Sequence, residues 1–182
     1  MVWLALAANA LMFLVELAAA TWSGSSALAA DALDFLGDAA NYAFSLGALA
    51  LGGYWISRVA LLKGAAMAFY GVCVLTYAAW RAWLGVPPQA VTMGVIGVLA
   101  LAVNFGVAAL LYRFREGDAN MRSVWLCTRN DVLGNIAVLF AAAGVFGTGS
   151  VWPDVAVAAL LAALGLSSGR VVMRQARAEL ST

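Results

Sequence analysis

The sequence predicts an all-α integral membrane protein with six transmembrane helices and both termini in the cytoplasm. Three observations carry that prediction. The chain of 182 residues is 65% hydrophobic and only 10% charged, against about 45–50% apolar and about 25% charged in a soluble domain. Six stretches reach the roughly 20 apolar residues that a crossing of hydrocarbon demands. Turn-forming and basic segments alternate between these stretches, as they do when basic loops stay on the cytoplasmic side.

The expected spans are 2–22, 27–56, 64–84, 90–112, 123–146 and 151–172. The first is interrupted by Glu16 and lacks a positive leading region, so it reads as a span and not as a secretory signal, despite the AAA at 18–20. SGSS separates it from the second span, GVPPQ separates the third from the fourth, and GTGSVWPD separates the fifth from the sixth. Each is short and turn-forming. Arg58 and Lys63 flank the second connection, Arg113, Arg115 and Arg122 the fourth, and Arg170, Arg174 and Arg177 the C-terminus. This asymmetry puts both termini in the cytoplasm, in a multi-pass membrane protein of bacterial inner-membrane type.

One six-helix transmembrane domain is expected over residues 1–182, without a soluble domain. Cys73 and Cys127 both fall inside spans, so no disulfide framework is expected. A net charge of +1 gives no reason to expect nucleic acid as a partner.

Five of the nine acidic residues, Glu16, Asp31, Asp34, Asp38 and Asp131, fall inside the expected spans. An ionised Asp at mid-membrane costs about 2.5–3.5 kcal/mol, so five would cost more than ~10 kcal/mol if nothing neutralised them. Protons, Arg129 or a bound cation are the candidates. On a helix, Asp31, Asp34, Asp38, Asn41 and Ser45 share one face of the second span. Asp34 and Asp38 stand one turn apart, with β-carbons about 5–6 Å from each other.

The fifth span carries a matching pair in WLCTRNDVLGN, where Cys127 precedes Asp131 by one turn and Asn135 follows by another. Asp38 and Asp131 each lie about a dozen residues from their entry points, which at about 1.5 Å per residue is near the bilayer middle. Asp34, Asp38, Cys127 and Asp131 would then surround one point with the oxygen and sulfur ligands that a Zn²⁺-like ion accepts. Asp31, Asn135, Asn41 and Glu16 are expected as supporting partners or as the lining of a pathway. A purely structural role, with the acids paired to Arg129 or hydrogen-bonded by Asn9, Asn41, Asn104, Asn130 and Asn135, is the alternative.

With ADALDFLGD at 30–38 and CTRNDVLGNIAVLFAA at 127–142, the chain resembles the cation diffusion facilitator family of divalent-metal/proton antiporters. The resemblance implies six spans with cytoplasmic termini and Asp34, Asp38, Cys127 and Asp131 as transport-site ligands. A second register would pair Asp131 with Asn135. Cys127 stands where the family usually has His, Asp or Glu, which tilts the expected preference toward Zn²⁺ or Cd²⁺ and away from Mn²⁺ or Mg²⁺. The chain has no histidine, so the His-rich loop of many members is replaced by RFREGDANMR.

The chain ends at Thr182 directly after its sixth span, which on this resemblance implies a member, minimal or truncated, without the family's cytoplasmic C-terminal domain. A homodimer would then use membrane surfaces, with Gly47, Gly52, Gly64 and Gly71 as small residues at a close contact.

The expected function is proton-coupled efflux of a divalent metal cation, with Zn²⁺ first and Cd²⁺ or Co²⁺ next. Protons are the counter-ion, because metal binding needs deprotonated ligands and so competes with protons for the same atoms. Three rivals stay open: a transporter of another small cation, a non-transporting metal-binding subunit or sensor, and an intramembrane aspartyl hydrolase. The hydrolase would be the enzyme among them; the expected reading is not enzymatic.

Overall fold

The computed structural model describes the backbone of residues 2–47, 53–112 and 119–180, and the side chains in those ranges except at 45, 53–56 and 119–130. Cys127, Arg129 and Asn130, the loop basic residues Arg113, Arg115 and Arg122, and Ser45 and Gly52 thus lie outside the described residues as far as their side chains are concerned. Six helices follow one another: α1 (Val2–Ser23), α2 (Ser26–Gly47), α3 (Gly53–Leu84), α4 (Ala90–Leu111), α5 (Ala119–Thr148) and α6 (Trp152–Leu180). Among the described residues there is no strand, as expected where backbone N–H and C=O groups must be satisfied within the segment.

Five helices contain a stretch long and apolar enough to cross a membrane, in α1, α3, α4, α5 and α6. The sixth, α2, is long enough at 22 residues, but its three aspartates lower its hydropathy. Its place in the bundle explains how it tolerates them. It touches α1, α3, α5 and α6, and Ala27, Leu28, Ala30, Leu33 and Phe35 along it are essentially inaccessible. The outer helices take the lipid instead, with Phe69, Val91, Phe105, Phe140 and Leu164 exposed. Trp22, Trp83 and Trp152 stand exposed where α1 ends, α3 ends and α6 begins, all at one end of the bundle. Such a ring matches an interfacial aromatic belt. The chain is a multi-pass membrane protein.

Helix boundaries differ from the sequence reading on one side of the bundle. The third helix begins at Gly53 and not near residue 64, and the sixth continues to Leu180, eight residues past the expected end at 172. Arg58 and Lys63 therefore belong to the early turns of α3, not to a connection. At about 1.5 Å per residue, a 32-residue α3 is about 48 Å long, well beyond a hydrocarbon core of about 30 Å. Ser57 near the start of α3 donates to Glu179 near the end of α6, so the two overhanging segments support each other. Hydropathy marks where lipid stops, whereas the helix continues as long as a neighbour satisfies it.

Glycines set the closest helix approaches. A Cβ at Gly64 would lie 2.9 Å from the carbonyl oxygen of Gly169, and one at Gly169 would lie 3.0 Å from that of Gly64. Gly71 likewise meets Leu166. Gly64 and Gly71 are thus spent on α6 of the same chain, not presented to a second copy. At the opposite end, Gly24 adopts φ 72° in the α1–α2 turn, over the Arg81 guanidinium. Arg81 also donates to the Val86 carbonyl at 2.9 Å, tying the α1–α2 and α3–α4 turns together.

Candidate metal site

On α2, Asp34, Asp38 and Asn41 recur at the spacing that puts them on one helix face. That face, with Asp131 from α5, lines a cavity of about 560 Å³ whose remaining wall comes from α3 and α6. Asp38 is buried at 7% exposure, whereas Asp34 and Asp131 are half-buried at the cavity surface. The Asp38 carboxyl faces Asp131, Lys63 and Asn41. Its Oδ2 is buried without a hydrogen-bond donor. Asp31 Oδ1 and Asp34 Oδ2 both come within 3.7 Å of where a Cβ on Gly134, one turn after Asp131, would stand.

The three carboxylates share the cavity, but among the described residues no three acidic, sulfur or imidazole groups converge tightly enough to hold a metal ion. Cys127, expected as the fourth ligand, is carried on α5 one turn before Asp131, and its side chain lies outside the described residues.

Glu16, Asp31 and Asn135, expected as supporting partners or pathway lining, form a hydrogen-bonded polar cluster that adjoins the cavity. Asn104 of α4 donates through Nδ2 to Asn135 Oδ1 at 2.9 Å, and Asn135 donates through its own Nδ2 to Asp31 Oδ2 at 2.7 Å. Glu16 faces Asp31 from α1. All four are at most 1% exposed. Asn135 is therefore committed to Asp31 and Asn104. Asn41 lies in the cavity, not in this cluster. Asn9, another candidate for polar glue, turns its amide back onto the Ala5 carbonyl at 2.8 Å.

Two residues escaped the sequence reading. Asp154, at the end of the turn-forming GTGSVWPD, is fully buried in the first turn of α6. It accepts hydrogen bonds from the Ser25 hydroxyl at 2.6 Å, the Ser26 amide at 2.8 Å, the Ser26 hydroxyl at 2.6 Å and the Ala27 amide at 3.0 Å. A carboxylate at a helix N-terminus satisfies orphan N–H groups and meets the positive end of the dipole; here it comes from a different helix. The serines of SGSS and the acid of WPD were visible signals, but their pairing is not local. Lys63, taken as a loop charge, lines the cavity and donates to Asn41 Oδ1.

The end of the bundle near Asp154 is closed. Ala27, Leu28, Ala30, Val138, Ala141, Val145 and Ala158 pack into one buried cluster between the cavity and that end. The cavity lining runs along the middle of α2, α5 and α6 and the earlier part of α3, at Lys63 and Met67.

Comparison with known proteins agrees with this architecture. The family model of the cation efflux transmembrane domain matches residues 2–181. The chain is 27% identical over 172 residues to the metal cation efflux system protein CzcD of Cupriavidus metallidurans, a match covering 87% of this chain and 54% of that protein. It is 30% identical over 114 residues to a cadmium, cobalt and zinc/H(+)-K(+) antiporter of Bacillus velezensis, covering 60% of this chain and 36% of that one. The chain thus spans about half the length of the CzcD relative and less of the antiporter. With a bundle of apolar helices around an acid-bearing α2 and a match along almost its whole length, this chain belongs to the cation efflux family, through that family's transmembrane domain.

Proposed function

We propose that this chain exports a soft divalent metal ion, Zn²⁺ or else Cd²⁺ or Co²⁺, across a bacterial inner membrane in exchange for protons. The carrying observation is that Asp34 and Asp38 of α2 and Asp131 of α5 line one cavity within the bundle. Carboxylates in a low-dielectric interior need a counter-charge, and a divalent ion supplies it. Cys127, one turn before Asp131 on α5, is the fourth ligand and gives the site its softness.

Protons and metal compete for the same oxygens and sulfur, because ligation requires the deprotonated forms. A bundle that opens the cavity to either face in turn then carries metal one way and protons the other. The cavity reaches toward the overhanging ends of α3 and α6, where the basic residues lie, and this supports an opening to the cytoplasm with the opposite end shut. The names of the relatives, a metal cation efflux system protein and a cadmium, cobalt and zinc/H(+)-K(+) antiporter, support the direction, the metal class and the counter-ion.

Flux into proteoliposomes, read with a metal-sensitive dye under an imposed pH gradient, tests the proposal. Asp38→Ala combined with Asp131→Ala is expected to abolish metal-dependent flux, and parent-rate flux in that variant overturns the site. Metal-dependent stabilisation of the parent chain with no flux at all would favour a metal-binding subunit or sensor.

A further inference from the structure

Lys63, a basic residue that the sequence puts beside the second connection, enters the cavity. It stands on α3 within the early overhanging segment, yet its side chain turns inward and lines the same cavity as Asp34, Asp38 and Asp131. Its ammonium donates to Asn41 Oδ1, interacts with the Asp38 carboxyl and stands 5.9 Å from the centre of the Phe44 ring. Among the described residues that line the cavity, Lys63 is the one cation. A lysine at the water interface would keep its head in solvent and bury only its stem. Here the head is hydrogen-bonded to Asn41 in the cavity and acts electrostatically on Asp38.

We infer that Lys63 is the resident counter-ion of the metal site and sets its affinity low enough for release; the inference rests on the metal-site reading above. In the metal-free cavity an ammonium beside Asp38 offsets part of the carboxylate charge. When a divalent ion enters, the same ammonium repels it, and at a few ångströms in a partly buried site that repulsion is large. A carrier must bind its cargo strongly enough to load and weakly enough to unload. Three carboxylates and a thiolate without a nearby positive charge would hold a soft dication too firmly to turn over. Lys63 on its flexible four-carbon stem can also withdraw along α3 as the ion arrives, so it adjusts affinity without occupying a ligand position.

The test is isothermal titration of the full chain in detergent with Zn²⁺ alone, beside proteoliposome flux at a series of Zn²⁺ concentrations. Lys63→Met and Lys63→Gln are expected to tighten Zn²⁺ binding by about tenfold or more. Lys63→Arg, which keeps the charge, is expected to stay within about threefold of the parent. In flux, the neutral variants should lower KM and the maximal rate together, a split that a merely structural lysine would not produce. Neutral variants that bind Zn²⁺ no more tightly than the parent, or an Arg variant that behaves like Met, overturn the inference. Asp38→Asn in the same titration separates the two readings. If it loses binding while Lys63→Gln matches the parent, only the role of Lys63 falls; if Asp38→Asn binds like the parent, the metal site falls and Lys63 with it.

Discussion

Asp31 and Asp34 are three residues apart on one helix and both approach Gly134, yet their surroundings differ. Asp31 lies in a sealed cluster where Asn135 donates to it and Asn104 donates to Asn135. Asp34 looks into a cavity that it shares with Asp38, Asp131 and Lys63. The sealed cluster carries its hydrogen bonds within the protein and joins α1, α2, α4 and α5. Carboxylate oxygen lacks a donor in both regions, at Asp38 Oδ2 in the cavity and at Asp31 Oδ1 and both Glu16 oxygens in the cluster, but the cavity has open volume beside it. What separates the two regions is space: the cluster is packed shut around its amide partners, whereas the cavity leaves volume beside its carboxylates.

The largest expected effect is on the cavity side. Asp38→Asn keeps the size and removes the charge, and is expected to weaken Zn²⁺ binding by about a hundredfold or more in a calorimetric titration, since a neutral amide is a poor ligand for the ion. The thermal unfolding midpoint in detergent should barely move. An unchanged affinity would erase the distinction between the two regions.

The sealed side should respond in the opposite sense. Asn135→Ala strips the donor from Asp31 Oδ2 and the acceptor from Asn104, and is expected to cost about 2–4 kcal/mol of stability, read as a lower unfolding midpoint. Zn²⁺ affinity of the folded fraction should remain within about threefold of the parent if the two regions are independent. Asp154→Ala removes the acceptor of four hydrogen bonds at the start of α2. It should destabilise by about 2–3 kcal/mol, because Ser26 and Ala27 N–H groups and two hydroxyls lose their partner together.

A smaller effect is expected from Glu16→Gln. Both oxygens of Glu16 and Asp31 Oδ1 are buried without hydrogen-bond partners, so an amide at 16 can donate to Asp31. Stability should be unchanged or higher by about 1 kcal/mol in thermal melts. The finest change is Cys127→Ser, which should lower the ratio of Cd²⁺ to Co²⁺ affinity, measured by competition titration, because a hydroxyl is harder than a thiolate.

Much of the fold was legible without coordinates. The count of helices and the turns at Gly24 and the Pro87–Pro88 pair follow from hydropathy and local chemistry, which act over about 20 residues. The stripe of Asp34, Asp38 and Asn41 was legible too, since helical periodicity alone puts those residues on one face. The grouping of Asp31 with them was only half informative. Periodicity says which face a side chain takes, but not which neighbour stands opposite.

Composition and spacing by themselves determined that this chain spans a membrane, that α2 carries acids into its interior, and that α5 carries Asp131 to a similar depth. Tertiary packing decided that Asn135 serves Asp31, that Asp154 clamps the distant start of α2, that Gly64 and Gly71 are used against α6, and that Lys63 enters the cavity. The reason is the range of the forces. Burial of apolar surface in lipid and backbone hydrogen bonding within a helix are set residue by residue along the chain. A hydrogen bond between residues 26 and 154, or one from an ammonium on α3 to Asn41 on α2, exists only once the helices are side by side.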